Sequence, residues 1–247
     1  MAKGLSTLDI DARERLIVAL DFETIDEARG LVEQLGDAAY FYKVGWELLL
    51  ATGIHGGYVE LIRDLGEVYR KKVMADLKLL EIPETVRRTI RQLRAYRPEF
   101  VTFHAQEYAA IEAAVEEKNG TKVLAVTVLT SMAERDLQLQ GIDNKTIEEV
   151  VRWRAKEAFT LGCDGVISSG QEAQMLRREF GYENFLVATP GIRDDHSPKD
   201  DQKRRVTVEE AFENGADYIV VGRPITREPD PRAAALAVQA RIAALFP

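Results

Sequence analysis

Residues 73–83 read Val73-Met74-Ala75-Asp76-Leu77-Lys78-Leu79-Leu80-Glu81-Ile82-Pro83. The apolar opening has the character of a strand, and strand side chains alternate faces with a period of two. Asp76 and Lys78 therefore share a face, two positions apart, where the strand is expected to run out. Glu81 falls in the turn. Pro83 marks the start of a helix, at a position that needs no backbone N–H donor. The stretch is thus one strand–turn–helix unit with an acid and a base aimed the same way. On a strand buried on both sides, each unpaired charge costs roughly several kcal/mol. Read alone, the pair is either a salt-bridged strand end or a chemical site.

Outward from this unit the same pattern recurs. Strand-like runs cover 16–20, 39–44, 73–77, 100–104, 123–129, 165–168, 185–189 and 218–222. Between them, apolar residues take helical spacing, as in Ala28, Leu31, Val32 and Leu35. Strict alternation of strands and helices means parallel strands joined by crossover helices. Eight such units in 247 residues predict a (β/α)8 barrel of TIM type, a fold of about 250 residues. A doubly wound open sheet is the competing fold, but no Gly-x-Gly-x-x-Gly turn follows the first strand. No linker or low-complexity tract divides the chain, so residues 1–247 read as a single domain with an N-terminal extension over 1–14. Thr24-x-x-Glu27 reads as a capping box. Two long polar connections, 130–145 and 191–206, exceed ordinary loop length and suit binding loops.

Composition narrows the function. Hydrophobic residues make up 46% and charged residues 30% of the chain, as in ordinary globular proteins. The net charge of −8 and the pI near 5.1 disfavour nucleic-acid binding, which rests on cations at phosphates. An anionic substrate would need a local positive pocket in an acidic molecule. The single Cys163 excludes an internal disulfide or a cysteine metal cluster and fits a cytoplasmic location. No apolar run approaches the roughly 18 residues of a membrane span, and no signal-peptide core opens the chain.

Active sites of this barrel form at the C-terminal strand ends. Those ends carry Asp21, Lys43, Asp76 with Lys78, His104, Thr130 with Ser131, Ser168 with Ser169, Thr189-Pro190-Gly191, and Gly222-Arg223. Lys43 falls on the face of the apolar residues around it and needs a counter-charge, for which Asp76 on the next strand is the natural choice. His104 reads as a core histidine, and Ser168 and Ser169 as packing and turn residues. No serine carries a nucleophile-elbow pattern. The loops after strands seven and eight of such barrels often hold phosphate, and Arg223 offers a fork of donors matched to it.

These residues together resemble the orotidine 5′-phosphate decarboxylase family. The resemblance rests on Asp76-Leu-Lys78-x-x-Glu81-Ile-Pro83-x-Thr85, Leu20-Asp21, Lys43-Val-Gly45 and Val126-Thr-Val-Leu-Thr130-Ser131. It extends through Thr189-Pro190-Gly-Ile-Arg193, Asp201-Gln202 and Gly222-Arg223-Pro-Ile-Thr226, nearly the whole chain. It implies a barrel without cofactor or metal that works as a cytoplasmic homodimer and makes UMP from orotidine monophosphate in pyrimidine synthesis. By position it assigns Lys43, Asp76, Lys78 and Glu81 to a charged catalytic network, with Lys78 as proton donor to C6. Glu81 and Thr85 would enter the site of the partner subunit. Asp21 and Lys43 would hold the ribose, Thr130 and Ser131 the pyrimidine. Pro190, Arg193, Gln202, Gly222 and Arg223 would close on the phosphate and base. The chain departs from the family pattern at Glu81, where Asp is usual, at Leu79-Leu80, and at Gln106-Glu107-Tyr108. Two other readings follow from the same residues: a UMP-binding homologue weakened in catalysis by Glu81, and a metal-dependent sugar-phosphate decarboxylase or aldolase of the same barrel superfamily, which shares an Asp-x-Lys-x-x-Asp motif.

Overall fold

The computed structural model describes residues 4–51, 56–181, 185–194 and 204–247. The eight strands are β1 Leu16–Leu20, β2 Phe41–Gly45, β3 Lys72–Leu79, β4 Phe100–His104, β5 Lys122–Val126, β6 Gly165–Ile167, β7 Leu186–Thr189 and β8 Tyr218–Val221. They pair in sequence order, all parallel, and β8 closes on β1. The eight-stranded barrel expected from the alternation is therefore the fold. The helices are α1 Ile25–Leu35, α2 Trp46–Leu49, α3 Tyr58–Glu67, α4 Pro83–Leu93, α5 Tyr108–Glu117 and α6 Glu134–Gln138. They continue with α7 Ile147–Thr160, α8 Ala173–Phe180, α9 Val208–Glu213, α10 Arg223–Thr226 and α11 Pro231–Leu245. None is long and apolar enough to cross a membrane.

Local chemistry sets the boundaries. Thr24 and Glu27 form the expected capping box of α1. Pro83 is the first residue of α4, after an extended Ile82. The buried residues of α4, Val86, Ile90 and Leu93, recur at helical spacing and make one stripe toward the sheet. Burying a side chain of this size contributes about 1.5–3 kcal/mol, so each helix is held mainly by its stripe.

The strands divide the core in two. Outward residues such as Val18, Tyr42, Ala75 and Phe103 pack under the helices. Inward residues, including Ala19, Phe41, Met74, Ala188 and Val220, fill the barrel. Phe41, Phe100 and Tyr218 stack their rings inside it at centroid distances of 5.0–5.9 Å. The period of two then decides what rises above this plug. Two residues beyond Ala19, Phe41, Met74, Ala188 and Val220 stand Asp21, Lys43, Asp76, Pro190 and Gly222.

The C-terminal ends of two strands differ from the sequence expectation by two residues or more, and β2 begins at Phe41 and not at Ala39. β3 does not stop at Leu77 but runs to Leu79, through a register shift in which Ala75 faces Val101 and Leu79 faces Phe103. Four residues of β3 thus advance against two of β4. Lys78 sits in this bulge with φ +44°, a left-handed conformation that costs a non-glycine residue about 1–2 kcal/mol. β5 ends at Val126, not Leu129. Beyond it, the Thr127 amide still donates to Ile167 O at 3.2 Å, while Val128 remains buried in the loop. Burial, not strand geometry, explains that apolar run.

The N-terminal extension seals the opposite end. Leu8 and Ile10 pack on the inner core. Ser6 Oγ donates to Asp217, which is also ion-paired to buried Arg177. Arg15 donates to the carbonyls of Asp217 and Leu8.

Candidate active site

A cavity of about 440 Å³ opens at the C-terminal strand ends. Of the residues assigned from sequence, Asp21, Lys43, Asp76, Lys78, Thr130, Ser131, Pro190, Arg193, Gly222 and Arg223 all line it. Gln202, with Asp201, lies outside the described residues. Glu81 and Thr85 are exposed and take no part in the cavity of their own chain. The Glu81 carboxylate instead accepts from the Ile82 amide at 2.7 Å.

The floor carries four charges in alternating sign. Lys43 Nζ donates to Asp21 Oδ1 at 2.8 Å and stands 3.5 Å from Asp76 Oδ2. Lys78 Nζ lies 2.5 Å from the same Oδ2. The other oxygen, Oδ1, accepts from Thr102 Oγ1 at 2.8 Å. Burial alone would push the Asp76 carboxyl up, but Lys43 and Lys78, with hydrogen bonds from Lys78 and Thr102, hold it below the usual value. Burial likewise disfavours the Lys43 ammonium, and Asp76 and Asp21 overcome this and raise it. Both groups are therefore charged at neutral pH. Gly45 leaves room for this amine: a Cβ there would lie 3.1 Å from Lys43 Nζ.

Thr102 is a site residue that the sequence reading missed. It is fully buried and its hydroxyl also accepts from the Lys78 amide at 2.9 Å. The available signal was a polar residue at an inward position of an apolar strand, two beyond Phe100. His104, read as a core residue, is only half-buried. Burial first, then Lys78 and Arg154, lower its pKa, so it stands in the field of the charged floor. Ser168, Glu47, Thr226 and Arg227 also line the cavity, with no sequence signal for the last three.

The far wall is cationic. Gly191 has φ +80°, open to glycine without strain, and turns the chain so that Arg193 lines the cavity. Arg193 is buried and donates to Ile192 O at 2.7 Å. Gly222, whose Cβ would stand 3.5 Å from Ala19 Cβ, brings backbone to the rim beside Arg223. The cavity therefore has an alternating charged floor at β1–β3 and three arginines, Arg193, Arg223 and Arg227, on the side of β7 and β8. Such a site can hold a dianion at one end and stabilise changing charge at the other.

A model of the orotidine 5′-phosphate decarboxylase / HUMPS family matches residues 14–238. The chain belongs to this family. An orotidine 5′-phosphate decarboxylase of Methylococcus capsulatus is 47% identical, over 100% of this chain and 99% of that one. Another, of Xanthomonas euvesicatoria, is 46% identical over 97% of this chain and 96% of its own. A solved orotidine 5′-phosphate decarboxylase of Lactobacillus acidophilus superposes with a TM-score of 0.79 at 34% identity, covering 93% of this chain and 99% of that one. The matched span contains every member of the charged floor and all three cavity arginines.

Proposed function

We propose that this chain converts orotidine 5′-monophosphate to UMP and CO2, as a cytoplasmic enzyme of pyrimidine synthesis. The observation that carries the reading is Asp76 held between the amines of Lys43 and Lys78, opposite the Arg193–Arg223 wall. The nucleotide phosphate lies at the arginines, with Pro190 at that end; the part that the family resemblance gives Gln202 there falls outside the described residues. Asp21 and Lys43 take the ribose hydroxyls, and Thr130 and Ser131 face the base. The substrate carboxylate then comes to the floor beside Asp76. Two like charges at about 4 Å repel by roughly 4 kcal/mol at an effective dielectric of 20, and this repulsion vanishes as CO2 departs. The C6–carboxylate bond breaks, its electron pair stays on C6, and the Lys78 ammonium stabilises and then protonates it. Binding energy from the phosphate end is used to hold the base against the charged floor. No cofactor enters this route.

Glu81 and Thr85 complete the site of a second copy in a homodimer. A weakened UMP-binding homologue is the alternative favoured by one observation, the Glu81 carboxylate turned to its own Ile82 amide. The metal-dependent sugar-phosphate reading has less support, because relatives of 46–47% identity bear the decarboxylase name and Lys43 puts an ammonium between Asp21 and Asp76.

Loss of orotidine-monophosphate absorbance on adding purified protein tests the reading. No turnover above buffer, with tight UMP binding retained, would give the alternative. Replacing Lys78 with Ala should abolish turnover while UMP still binds. Arg223→Ala should weaken orotidine-monophosphate binding strongly and hardly change activity on phosphate-free orotidine. An equal loss on both substrates would assign Arg223 to the fold.

A further inference from the structure

The returning end of the long β7 loop is fastened in a way that the proposed chemistry does not use. Three consecutive residues after β6 meet three consecutive residues of that loop in reverse order. A Cβ on Gly170 would lie 2.5 Å from Val206 Cγ2. Gln171 Nε2 donates to Arg205 O at 3.4 Å, and Arg204 Nη1 donates to Glu172 Oε1 at 2.6 Å. Val206 also closes the loop on its outgoing end: the Arg193 amide donates to Val206 O at 2.9 Å, and Ile192 bridges Val206. The second Arg204 nitrogen, Nη2, donates to Val128 O at 2.8 Å and Leu129 O at 3.0 Å. Those carbonyls lead directly into Thr130 and Ser131. One guanidinium thus touches the loops after β5, β6 and β7.

This guanidinium lies outside the cavity lining, and the Arg204 and Glu172 side chains are 9% and 8% exposed. Burying such a pair is costly unless its hydrogen bonds are well made, so mere packing is a poor reason for it. A fork of fixed donors can bond a carboxylate and two carbonyls at once, which a lysine ammonium on a flexible stem cannot reproduce in the same geometry. We propose that Arg204 is a positioning residue that fixes the Arg193 wall and the Thr130–Ser131 wall to each other, so that a ligand gripped at one is placed at the other. The assignment rests on the nucleotide reading of the cavity.

A thermodynamic cycle tests it. UMP affinity is measured by calorimetry for Ser131→Ala, Arg193→Ala and the double variant, with Arg204 present and in an Arg204→Met background. With Arg204, the double loss should differ from the product of the single losses by about threefold or more, as for residues sharing a network. In the R204M background the losses should multiply to within about twofold. Arg204→Lys should behave like R204M. A purely structural Arg204 would lower affinity and leave the coupling unchanged. Absent coupling in the parent, or full coupling in R204M, overturns the proposal.

A ligand-free measurement separates this from the nucleotide reading. Hydrogen exchange in unliganded R204M and Glu172→Gln protein should speed up in both 127–132 and 191–193 and not in β4. Acceleration in only one segment, or in neither, overturns the strut. If R204M fails to fold, R204K and E172Q carry both arms. A parent protein that binds no UMP sinks the nucleotide reading, and the exchange result still decides the strut.

Discussion

Thr102 has one hydroxyl serving two groups, the Asp76 carboxylate and the Lys78 amide. Valine has nearly its shape and neither capacity. Leaving a buried donor or acceptor unpaired costs about 1–3 kcal/mol, so Thr102→Val should lower kcat by about ten- to hundredfold with KM little changed. Thr102→Ser should restore most of it. Steady-state kinetics on both variants checks this, and an unaltered kcat in T102V would mean that the two lysines orient Asp76 alone. His104 gives a second expectation at this scale. Its folded pKa lies below the ordinary histidine value because of burial, Lys78 and Arg154. The unfolded chain therefore binds a proton more readily, so stability is complete above the unfolded pKa and falls as pH drops through it. Wild-type Tm should decline between about pH 7.5 and 5, and His104→Gln should decline less. Parallel pH profiles of Tm would show that His104 contributes nothing to acid sensitivity.

The strand β3 shows what an element does that its residues do not announce. Its two-residue excess over β4 brings the Lys78 amide to Thr102 and the Lys78 amine back onto Asp76. The backbone strain can be separated from the amine. Lys78→Ala and Lys78→Gly both lose the charge, but only glycine accepts φ +44° freely. The Gly variant should therefore be more stable than the Ala variant by about 1 kcal/mol, measured by urea denaturation. Equal stabilities would mean that the bulge relaxes once the amine is gone. The barrel itself was legible in the sequence because apolar strand runs and helical spacing alternate eight times. Asp21, Lys43 and Asp76 were legible because parity carries them from inward residues to the rim. The bulge was not, since Met74, Asp76 and Lys78 keep the same parity with or without it. Val128 and Leu129 were misread because an apolar run records burial and is silent about hydrogen-bond pattern. Arg204 was invisible because its partners, Glu172 and the Val128 and Leu129 carbonyls, come from two other loops far away in sequence.

At the scale of the molecule, the cavity of one chain has Glu81 and Thr85 outside it, on a rim with exposed apolar side chains. Leu80, Ile82 and Trp46 are 54%, 63% and 56% exposed, and exposed apolar patches mark interaction surfaces. A second copy on this face would bring its Glu81 to the charged floor. Mixing inactive Lys78→Ala protein with inactive Glu81→Ala protein should then restore activity as subunits exchange, because one site per mixed dimer carries neither lesion. Two dead parents and no recovery after confirmed exchange would mean that each chain builds its site alone, and near-full activity of Glu81→Ala would take Glu81 out of the network. The seal at the barrel's other end bears on how the chain is made. Ser6, Arg15 and β1 find their partners in Asp217 and β8, some two hundred residues downstream in the order of synthesis. Until the ribosome has delivered β8, the open edge of β1 has no strand to pair with and Ser6 and Arg15 lack Asp217, and an unpaired strand edge invites association with other chains. The nascent polypeptide must be kept apart from its neighbours through most of its translation, and the closing step of folding waits on its last strand.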